Sequence, residues 1–271
     1  MTSAVDPRIL LDLAVDTARA AGDLVTRGRA TAAADVDAKS SPTDVVTAVD
    51  RASEELIVGR LLGARPADGV LGEEGAARPG TSGVRWVIDP IDGTVNFLYD
   101  LPGYAVSIAA EVAGEVVAGV VLNVASGELF TATRGGGAHV SSPARPEPVR
   151  LSGSRPTSLE QTLVATGFGY RVEQRRSQGV VVGRLLPRVR DIRRFGSAAL
   201  DLCAVAAGRV DAYYELGLNP WDYGAGALVA AEAGIVVTGL PGTAFAEPMA
   251  IAAAPSIAGP FVELLVELHE D

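Results

Sequence analysis

The feature that most constrains this sequence is an apolar run that leads directly into two aspartates. Trp86-Val87-Ile88 is typical of a buried strand, and Asp89-Pro90-Ile91-Asp92 follows with no intervening turn. Buried carboxylates this close raise each other's pKa unless a divalent cation favours their ionised forms. Pro90 stiffens the connection between the two aspartates. The segment therefore predicts a folded core with an acidic site at the end of a strand.

Further carboxylates follow other predicted elements. Glu73 and Glu74 come after the short apolar strand 69–72, and Asp222 lies in the first turn of a predicted helix. Each has an ordinary explanation, because Glu-Glu pairs are common on surfaces and an acidic residue near a helix N-terminus interacts favourably with the helix dipole. Their joint occurrence favours a metal site. Oxygen ligands of this kind select Mg²⁺, Mn²⁺ or Ca²⁺ over zinc.

Two features favour an anionic ligand near these acids. Gly93 and Thr94 open a predicted short helix whose free N–H groups can hold a phosphate. Lys39 is the only lysine in a chain with 23 basic residues. Chance explains a single lysine as readily, but a compact point charge that arginine cannot imitate is the functional interpretation, and it makes Lys39 a candidate substrate contact.

Hydrophobic periodicity predicts an α/β fold in two parts. Predicted helices cover residues 6–25, 49–61, 172–188, 197–207, 221–233 and a final segment to 268. Predicted strands cover 70–71, 86–88, 105–112, 116–124, 128–133, 163–166, 191–195, 210–215, 235–238 and 249–253. The glycine-rich and proline-rich residues 135–137 and 141–148 predict loops. We therefore expect an N-terminal α+β subdomain, residues 1–148, with an antiparallel sheet, and a C-terminal α/β subdomain, residues 149–271.

Composition excludes several classes of protein. A net charge of −10 disfavours broad binding to nucleic acid, although eight arginines between positions 171 and 194 form a local basic segment. One cysteine, Cys203 in an apolar helical context, excludes an internal disulfide and a cysteine-built zinc site. No apolar run reaches the roughly 20 residues of a membrane span, and the N-terminus lacks the features of a signal peptide, so a cytoplasmic protein is expected.

Several motifs together resemble those of the inositol monophosphatase family. The principal ones are Gly72-Glu73-Glu74, Asp89-Pro90-Ile91-Asp92-Gly93-Thr94 and Trp221-Asp222. Residues 39–50, Gly196-Ser197-Ala198-Ala199 and 211–215 resemble further segments of the family, and the likeness, nearest to its bacterial SuhB branch, covers about residues 36–235. Val95 and Tyr223-Gly224 depart from the usual pattern. The resemblance implies the layered sugar-phosphatase fold, αβαβα, with the site between the two subdomains.

The resemblance also implies a reaction and a set of roles. The activity is hydrolysis of inositol monophosphate by water, with two or three Mg²⁺ ions per site, Mn²⁺ as a substitute, inhibition by lithium, and a homodimer. The implied metal ligands are Glu73, Asp89, the carbonyl of Ile91, Asp92 and Asp222. Asp50 is expected to hydrogen-bond Thr94, and Thr94 with Glu73 to orient and deprotonate the water. The implied substrate contacts are Asp92, Gly93, Thr94, Ala198 and Glu215.

Other functions fit the sequence less well. A haloacid-dehalogenase-type phosphatase needs aspartates two residues apart, and Asp89 and Asp92 are three apart. A serine hydrolase needs a histidine base, and His139 and His269 are predicted in a loop and in the tail. Relatives that act on histidinol phosphate, fructose 1,6-bisphosphate or 3′-phosphoadenosine 5′-phosphate share the metal motifs and stay open, although the segments around Lys39 and Glu215 favour inositol phosphate. A SuhB-like role in binding RNA or transcription factors also stays open.

Overall fold

Helices and strands stack in five layers. The computed structural model describes residues 5–32, 36–41 and 44–269, and for residues 30–32, 36–41 and 44–46 it describes the backbone alone. The helices are α1 (Pro7–Ala32), α2 (Ala48–Ala64), α3 (Thr94–Leu98), α4 (Val172–Leu185), α5 (Ala198–Ala206), α6 (Pro220–Glu232) and α7 (Ala258–His269). The strands are β1 (Val36–Ser41), β2 (Asp44–Thr47), β3 (Gly69–Gly72), β4 (Ala77–Arg78), β5 (Val84–Asp92), β6 (Ala105–Val112), β7 (Glu115–Asn123), β8 (Leu129–Thr133), β9 (Gly137–Ser142), β10 (Arg145–Arg150), β11 (Leu163–Thr166), β12 (Asp191–Arg193), β13 (Ala212–Leu216), β14 (Val236–Thr238) and β15 (Met249–Ala253).

Two sheets form the second and fourth layers. The first has eight strands in the order β10-β9-β8-β7-β6-β5-β3-β4, antiparallel except where β3 and β5 run parallel. The second has five strands in the order β12-β11-β13-β15-β14, with β11 parallel to both of its neighbours. Helices α1 and α2 cover the outer face of the first sheet, α5 and α6 lie between the sheets, and α4 and α7 cover the second. The αβαβα prediction is confirmed.

Side chains of β5 alternate between the two faces of the first sheet. Trp86 and Ile88 are fully buried against α1 and α2, whereas Val87 packs into the cluster that contains α5 and α6. Because side chains alternate between the faces of a strand, Asp89 belongs to the same face as Val87. The aspartate therefore faces the middle layer of helices.

The loop prediction for residues 135–137 holds at Gly135 and Gly136, which lie in a turn, but the prediction for residues 141–148 is mostly wrong. Strands β9 and β10 occupy most of that stretch, and β10 pairs with β9 at the edge of the first sheet. Pro146 and Pro148 suppressed the strand prediction, but an edge strand tolerates proline because the missing N–H faces solvent. His139 consequently lies in β9, and His269 ends α7. Because the first sheet continues to Arg150, the division into residues 1–148 and 149–271 stays a proposal.

A buried aspartate fixes the turn before β3. Asp68 is 1% exposed and accepts hydrogen bonds from the Trp86 indole (2.9 Å), the Ser82 hydroxyl (2.6 Å) and the Arg65 guanidinium (2.6 Å). Trp86 is fully buried, so its N–H would have no alternative partner in water. Asp68 thus ties the start of β3 to β5, the two strands whose ends carry the acidic motifs.

We expect Asp68→Asn to lower the free energy of unfolding by about 2–3 kcal/mol, because the amide places a donor against donors in a buried position. Denaturant unfolding measures the change. Asp12→Asn is the matched control, since Asp12 is exposed on α1, and its effect should stay within about 0.5 kcal/mol. Equal stability of the two variants would contradict this role for Asp68.

Candidate active site

Two parallel strand ends bring Glu73 next to Asp89. Gly72 at the end of β3 pairs with Ile88 of β5, and the Glu73 backbone N–H donates to the Ile88 carbonyl at 3.2 Å. Glu73 and Asp89 are therefore the next residues along two neighbouring strands. Burial raises the pKa of Asp89 well above its usual range, and the charges of Glu73, Asp92 and Asp222 raise it further.

Asp92 lies at the other end of the same motif, against the N-terminus of α5. One oxygen, Oδ2, accepts hydrogen bonds from the Ser197 hydroxyl at 2.6 Å and from the Ala199 N–H at 2.7 Å. Burial raises the pKa of Asp92 to about 7, although both hydrogen bonds act in the opposite direction. These contacts join the first sheet to the middle layer of helices.

Asp222 reaches the same region from the first turn of α6. The Asn219 backbone N–H donates to its Oδ2 at 2.6 Å as part of a capping box, which fixes the carboxylate at the helix N-terminus. Burial raises the pKa of Asp222 well above its usual range, and the charges of Asp92 and Glu73 add to the effect. Helix α6 thus carries a third aspartate over the end of β5.

These carboxylates line one cavity of about 330 Å³ between the two sheets. The predicted residues in its wall are Glu73, Asp89, Ile91, Asp92, Gly93, Thr94, Ala198, Glu215 and Asp222. In the described part of the chain, no group of three or more acidic, histidine or cysteine side chains is arranged to coordinate one metal ion. The chemistry of the donor set nevertheless fits Mg²⁺, which prefers a few carboxylates with waters completing its octahedron.

Asp50 on α2 holds Thr94 beside the aspartates of the cavity. The Thr94 hydroxyl lies 3.0 Å from Oδ1 of Asp50 and 3.1 Å from the Ile91 carbonyl, so the predicted contact between Asp50 and Thr94 is present. Asp50 is fully buried, and its other oxygen accepts from the Thr47 backbone N–H at 2.8 Å. Gly93 precedes α3 with φ 94°, and a Cβ there would lie 2.8 Å from the Gly103 carbonyl. Only glycine fits this turn without strain.

The far wall of the cavity comes from the second sheet and α5. Glu215 on β13 accepts a hydrogen bond from the Tyr213 hydroxyl at 2.7 Å, and Ala198 is the first residue of α5. Asp50 lies outside the wall and contacts the cavity residue Thr94. The side chain of Lys39 lies outside the described residues, so its contact with substrate stays a prediction.

Sequence reasoning assigned no role to several residues of the site. Ser197 holds Asp92, Arg194 and Phe168 line the cavity, and Asp201 is buried behind it. Burial and the charges of Glu215 and Asp92 raise the pKa of Asp201 well above its usual range. Ser197 had a local signal, a helix-capping serine before an apolar helix. The others are brought to the site by long-range packing and leave no local pattern.

The histidine-based alternative has no support from the geometry. Neither His139 nor His269 lines the cavity with the carboxylates. His269 contacts the Leu265 carbonyl of its own helix through Nδ1 at 2.7 Å. Cys203 is fully buried in α5, as its apolar neighbours predict, and burial raises the pKa of its thiol well above the usual range.

The raised pKa of Asp92 predicts how the stability of the metal-free protein depends on pH. An aspartate in an unfolded chain has a pKa of about 3.9, so between that value and about 7 the folded state keeps a proton that the unfolded state has lost. Each increase in pH within this window therefore lowers the free energy of unfolding. Relative to the wild type, Asp92→Asn should gain stability from about pH 4 to about pH 7 in a chelating buffer.

Thermal midpoints of both proteins across this window measure the effect. Millimolar Mg²⁺ should raise the wild-type midpoint most at the high-pH end, because the cation favours the ionised carboxylates. Asp12→Asn is the control, and it should run parallel to the wild type. A difference between Asp92→Asn and the wild type that shrinks with rising pH would contradict the raised pKa.

Comparison with known proteins agrees with this architecture. The sequence pattern of the inositol monophosphatase family matches residues 6–270. Inositol-1-monophosphatase SuhB of Mycobacterium tuberculosis is 49% identical over 240 residues, which are 86% of this chain and 81% of that protein. Nus factor SuhB of Escherichia coli is 42% identical over 235 residues, 86% of each. The solved structure of Mycobacterium tuberculosis SuhB matches with a TM-score of 0.84 and 42% identity, covering 97% of this chain and 98% of that one. The chain therefore belongs to the inositol monophosphatase family, whose members are generally metal-dependent phosphatases.

Proposed function

We propose that this protein is a Mg²⁺-dependent phosphomonoesterase that hydrolyses inositol monophosphate, with myo-inositol 1-phosphate as the substrate, to inositol and phosphate. The observation that carries the proposal is that Glu73, Asp89, Asp92 and Asp222 line a single cavity. Four acids in one cavity of a protein with net charge −10 repel a phosphate monoester. Bound cations remove that repulsion, and the match to relatives named inositol-1-monophosphatase supports the substrate.

The proposed metal ligands divide into two overlapping sets. Glu73, Asp89 and the Ile91 carbonyl would hold a first Mg²⁺, and Asp89, Asp92 and Asp222 a second, with Glu73 near a weaker third. When bound, Mg²⁺ lowers the pKa of water and stabilises charge on the phosphoryl and leaving oxygens. One oxygen of each aspartate is already held, Oδ1 of Asp89 by the Ile91 N–H at 3.0 Å and Oδ2 of Asp92 and Asp222 as described above. Each side chain is thereby oriented before any cation arrives.

Thr94, Asp50 and Glu73 would position and activate the attacking water. The Thr94 hydroxyl donates to the Asp50 carboxylate, which leaves the lone pairs of the Thr94 oxygen to accept a hydrogen bond from water. Glu73 follows the end of β3, next to Asp89 on β5, and would receive the proton as the water attacks phosphorus. The water oxygen would bond to phosphorus as the bond between phosphorus and the inositol oxygen breaks, and the leaving oxygen would take a proton from a solvent water. No side chain would become phosphorylated.

The remaining residues of the cavity would hold the two parts of the substrate. The N–H groups of Gly93 and Thr94 would bind phosphate oxygens, and Asp92, Ala198 and Glu215 would contact the inositol hydroxyls. Glu215 already accepts from Tyr213, so its orientation is fixed. Lys39 stays a proposed substrate contact, and a cytoplasmic homodimer and inhibition by lithium stay predictions. No helix of the described residues is long and apolar enough to span a membrane.

A substrate panel tests the proposed activity. With Mg²⁺ present and inorganic phosphate as the readout, kcat/KM for myo-inositol 1-phosphate should exceed that for histidinol phosphate, fructose 1,6-bisphosphate and 3′-phosphoadenosine 5′-phosphate by about tenfold or more, the ratio that a difference of 1.4 kcal/mol in transition-state binding produces. Chelation should abolish hydrolysis, and Mn²⁺ should restore part of it. Hydrolysis that survives chelation, or a preference for another member of the panel, would contradict the proposal.

A second candidate function is a binding role in transcription. It is favoured by the printed name of the Escherichia coli relative, Nus factor SuhB, and by the basic segment between positions 171 and 194. In the structure Arg171 is exposed just before α4 and Arg176 is exposed on it, and neither lines the cavity, whereas Arg194 of the same basic segment does. A binding role through Arg171 and Arg176 would therefore not need the residues that line the cavity.

Asp89→Asn separates the two functions. The change should lower kcat by about a thousandfold, because losing several kcal/mol of metal-assisted stabilisation slows the reaction tenfold for each 1.36 kcal/mol. If hydrolysis is the physiological role, a strain with this variant should behave as a deletion strain. A double Arg171→Ala and Arg176→Ala variant should keep full hydrolysis and leave the strain unaffected. A strain that is unaffected by Asp89→Asn but behaves as a deletion strain with the double arginine variant would favour the binding role.

A further inference from the structure

One face of α2 contacts the two connections that carry the proposed metal ligands. Asp50, Ser53 and Glu54 are spaced three and four residues apart, so they lie on the same side of the helix, and all three are buried. Asp50 reaches Thr94, and the Ser53 hydroxyl donates to the Pro90 carbonyl, between Asp89 and Asp92, at 3.3 Å. Of these three residues, Asp50 alone has a role in the proposed reaction.

Glu54 makes the most specific contact of the three. Its Oε2 accepts from the Glu74 backbone N–H and its Oε1 from the Ala76 N–H, both at 2.9 Å. The side chain is 6% exposed. Both donors belong to the turn that follows β3, and this turn begins with Glu73. A single carboxylate on α2 therefore holds the backbone that immediately follows the proposed metal ligand.

The sequence leaves space for this contact at one position. A Cβ on Gly72 would lie 2.1 Å from Oε2 of Glu54, so glycine is required there for the carboxylate to reach the turn. The Gly72 N–H in turn donates to the Ala76 carbonyl at 2.7 Å, which closes the turn around the Glu54 side chain. The contact is thus built from both partners, α2 and the turn.

Resting on the function proposed above, we propose that Glu54 is a positioning residue for metal binding, which orients Glu73 by holding the turn of residues 73–76. A carboxylate suits this task because both of its oxygens accept, whereas the amide of glutamine has one acceptor and two donors. Mutation of residues that orient metal ligands typically lowers metal affinity or activity by about tenfold to a hundredfold.

Glu54→Gln tests the proposal in the full-length protein, with Mn²⁺ as the probe. Without substrate, the affinity for Mn²⁺ measured by electron paramagnetic resonance should fall by about tenfold to a hundredfold. Amide exchange should speed up at Glu74 and Ala76. At saturating metal, KM for the phosphorylated substrate should stay unchanged. Glu55→Gln, an exposed neighbour on the same helix, is the matched control and should leave all three quantities unchanged.

Gly72→Ala provides an independent variant, because its new methyl group would displace the Glu54 carboxylate. It should weaken Mn²⁺ binding as Glu54→Gln does, while Gly59→Ala, which has open space at its Cβ, should not. Unchanged Mn²⁺ affinity in both variants, or a loss that accompanies faster exchange throughout the protein, would overturn the proposal. A wild-type protein that binds Mn²⁺ but hydrolyses no phosphomonoester would refute the proposed function alone, since metal affinity and amide exchange still report on Glu54.

Discussion

The main constraint on the structure is the repulsion among four clustered carboxylates, of which two are buried and two half-buried. Glu73, Asp89, Asp92 and Asp222 come from different parts of the chain, and the pKa values of the three aspartates are raised by burial and by neighbouring negative charge. Without cations, such a group destabilises the fold in which it lies. The arrangement persists because each aspartate is also an acceptor of backbone or side-chain hydrogen bonds. Removing the charge or adding cations should therefore relieve the same unfavourable interaction.

The layered fold is the scaffold that makes this convergence possible. The parallel pairing of β3 and β5 places two acidic motifs at one edge of the first sheet, and the middle layer brings the N-termini of α5 and α6 to the same edge. Positive ends of helices near carboxylates offset part of the repulsion. Helix α2 contacts the motifs from the opposite face through Asp50, Ser53 and Glu54. The site is thus held from both sides of one sheet.

Much of this could be predicted from the sequence, for local reasons. The apolar run Trp86-Val87-Ile88 predicts β5, and the adjacent Asp89 and Asp92 predict an acidic site because local geometry ties them to the strand end. Strand β10 was missed because Pro146 and Pro148 are ordinarily strand breakers, and only the sheet edge makes them acceptable. Glu54 and Arg194 were missed because their roles arise from tertiary contacts. A helix pattern shows which face is buried, and it does not show which turn lies against that face.

The most direct test of the account is to locate cations in the cavity. Crystals soaked in millimolar Mn²⁺ and measured at the manganese absorption edge should show two or three anomalous peaks, each within coordination distance of oxygens of Glu73, Asp89, Asp92 or Asp222. Phosphate added with the Mn²⁺ should contact the same ions. A cavity without anomalous peaks under these conditions, with the four carboxylates protonated or paired with each other, would contradict the claim that cations hold this site together.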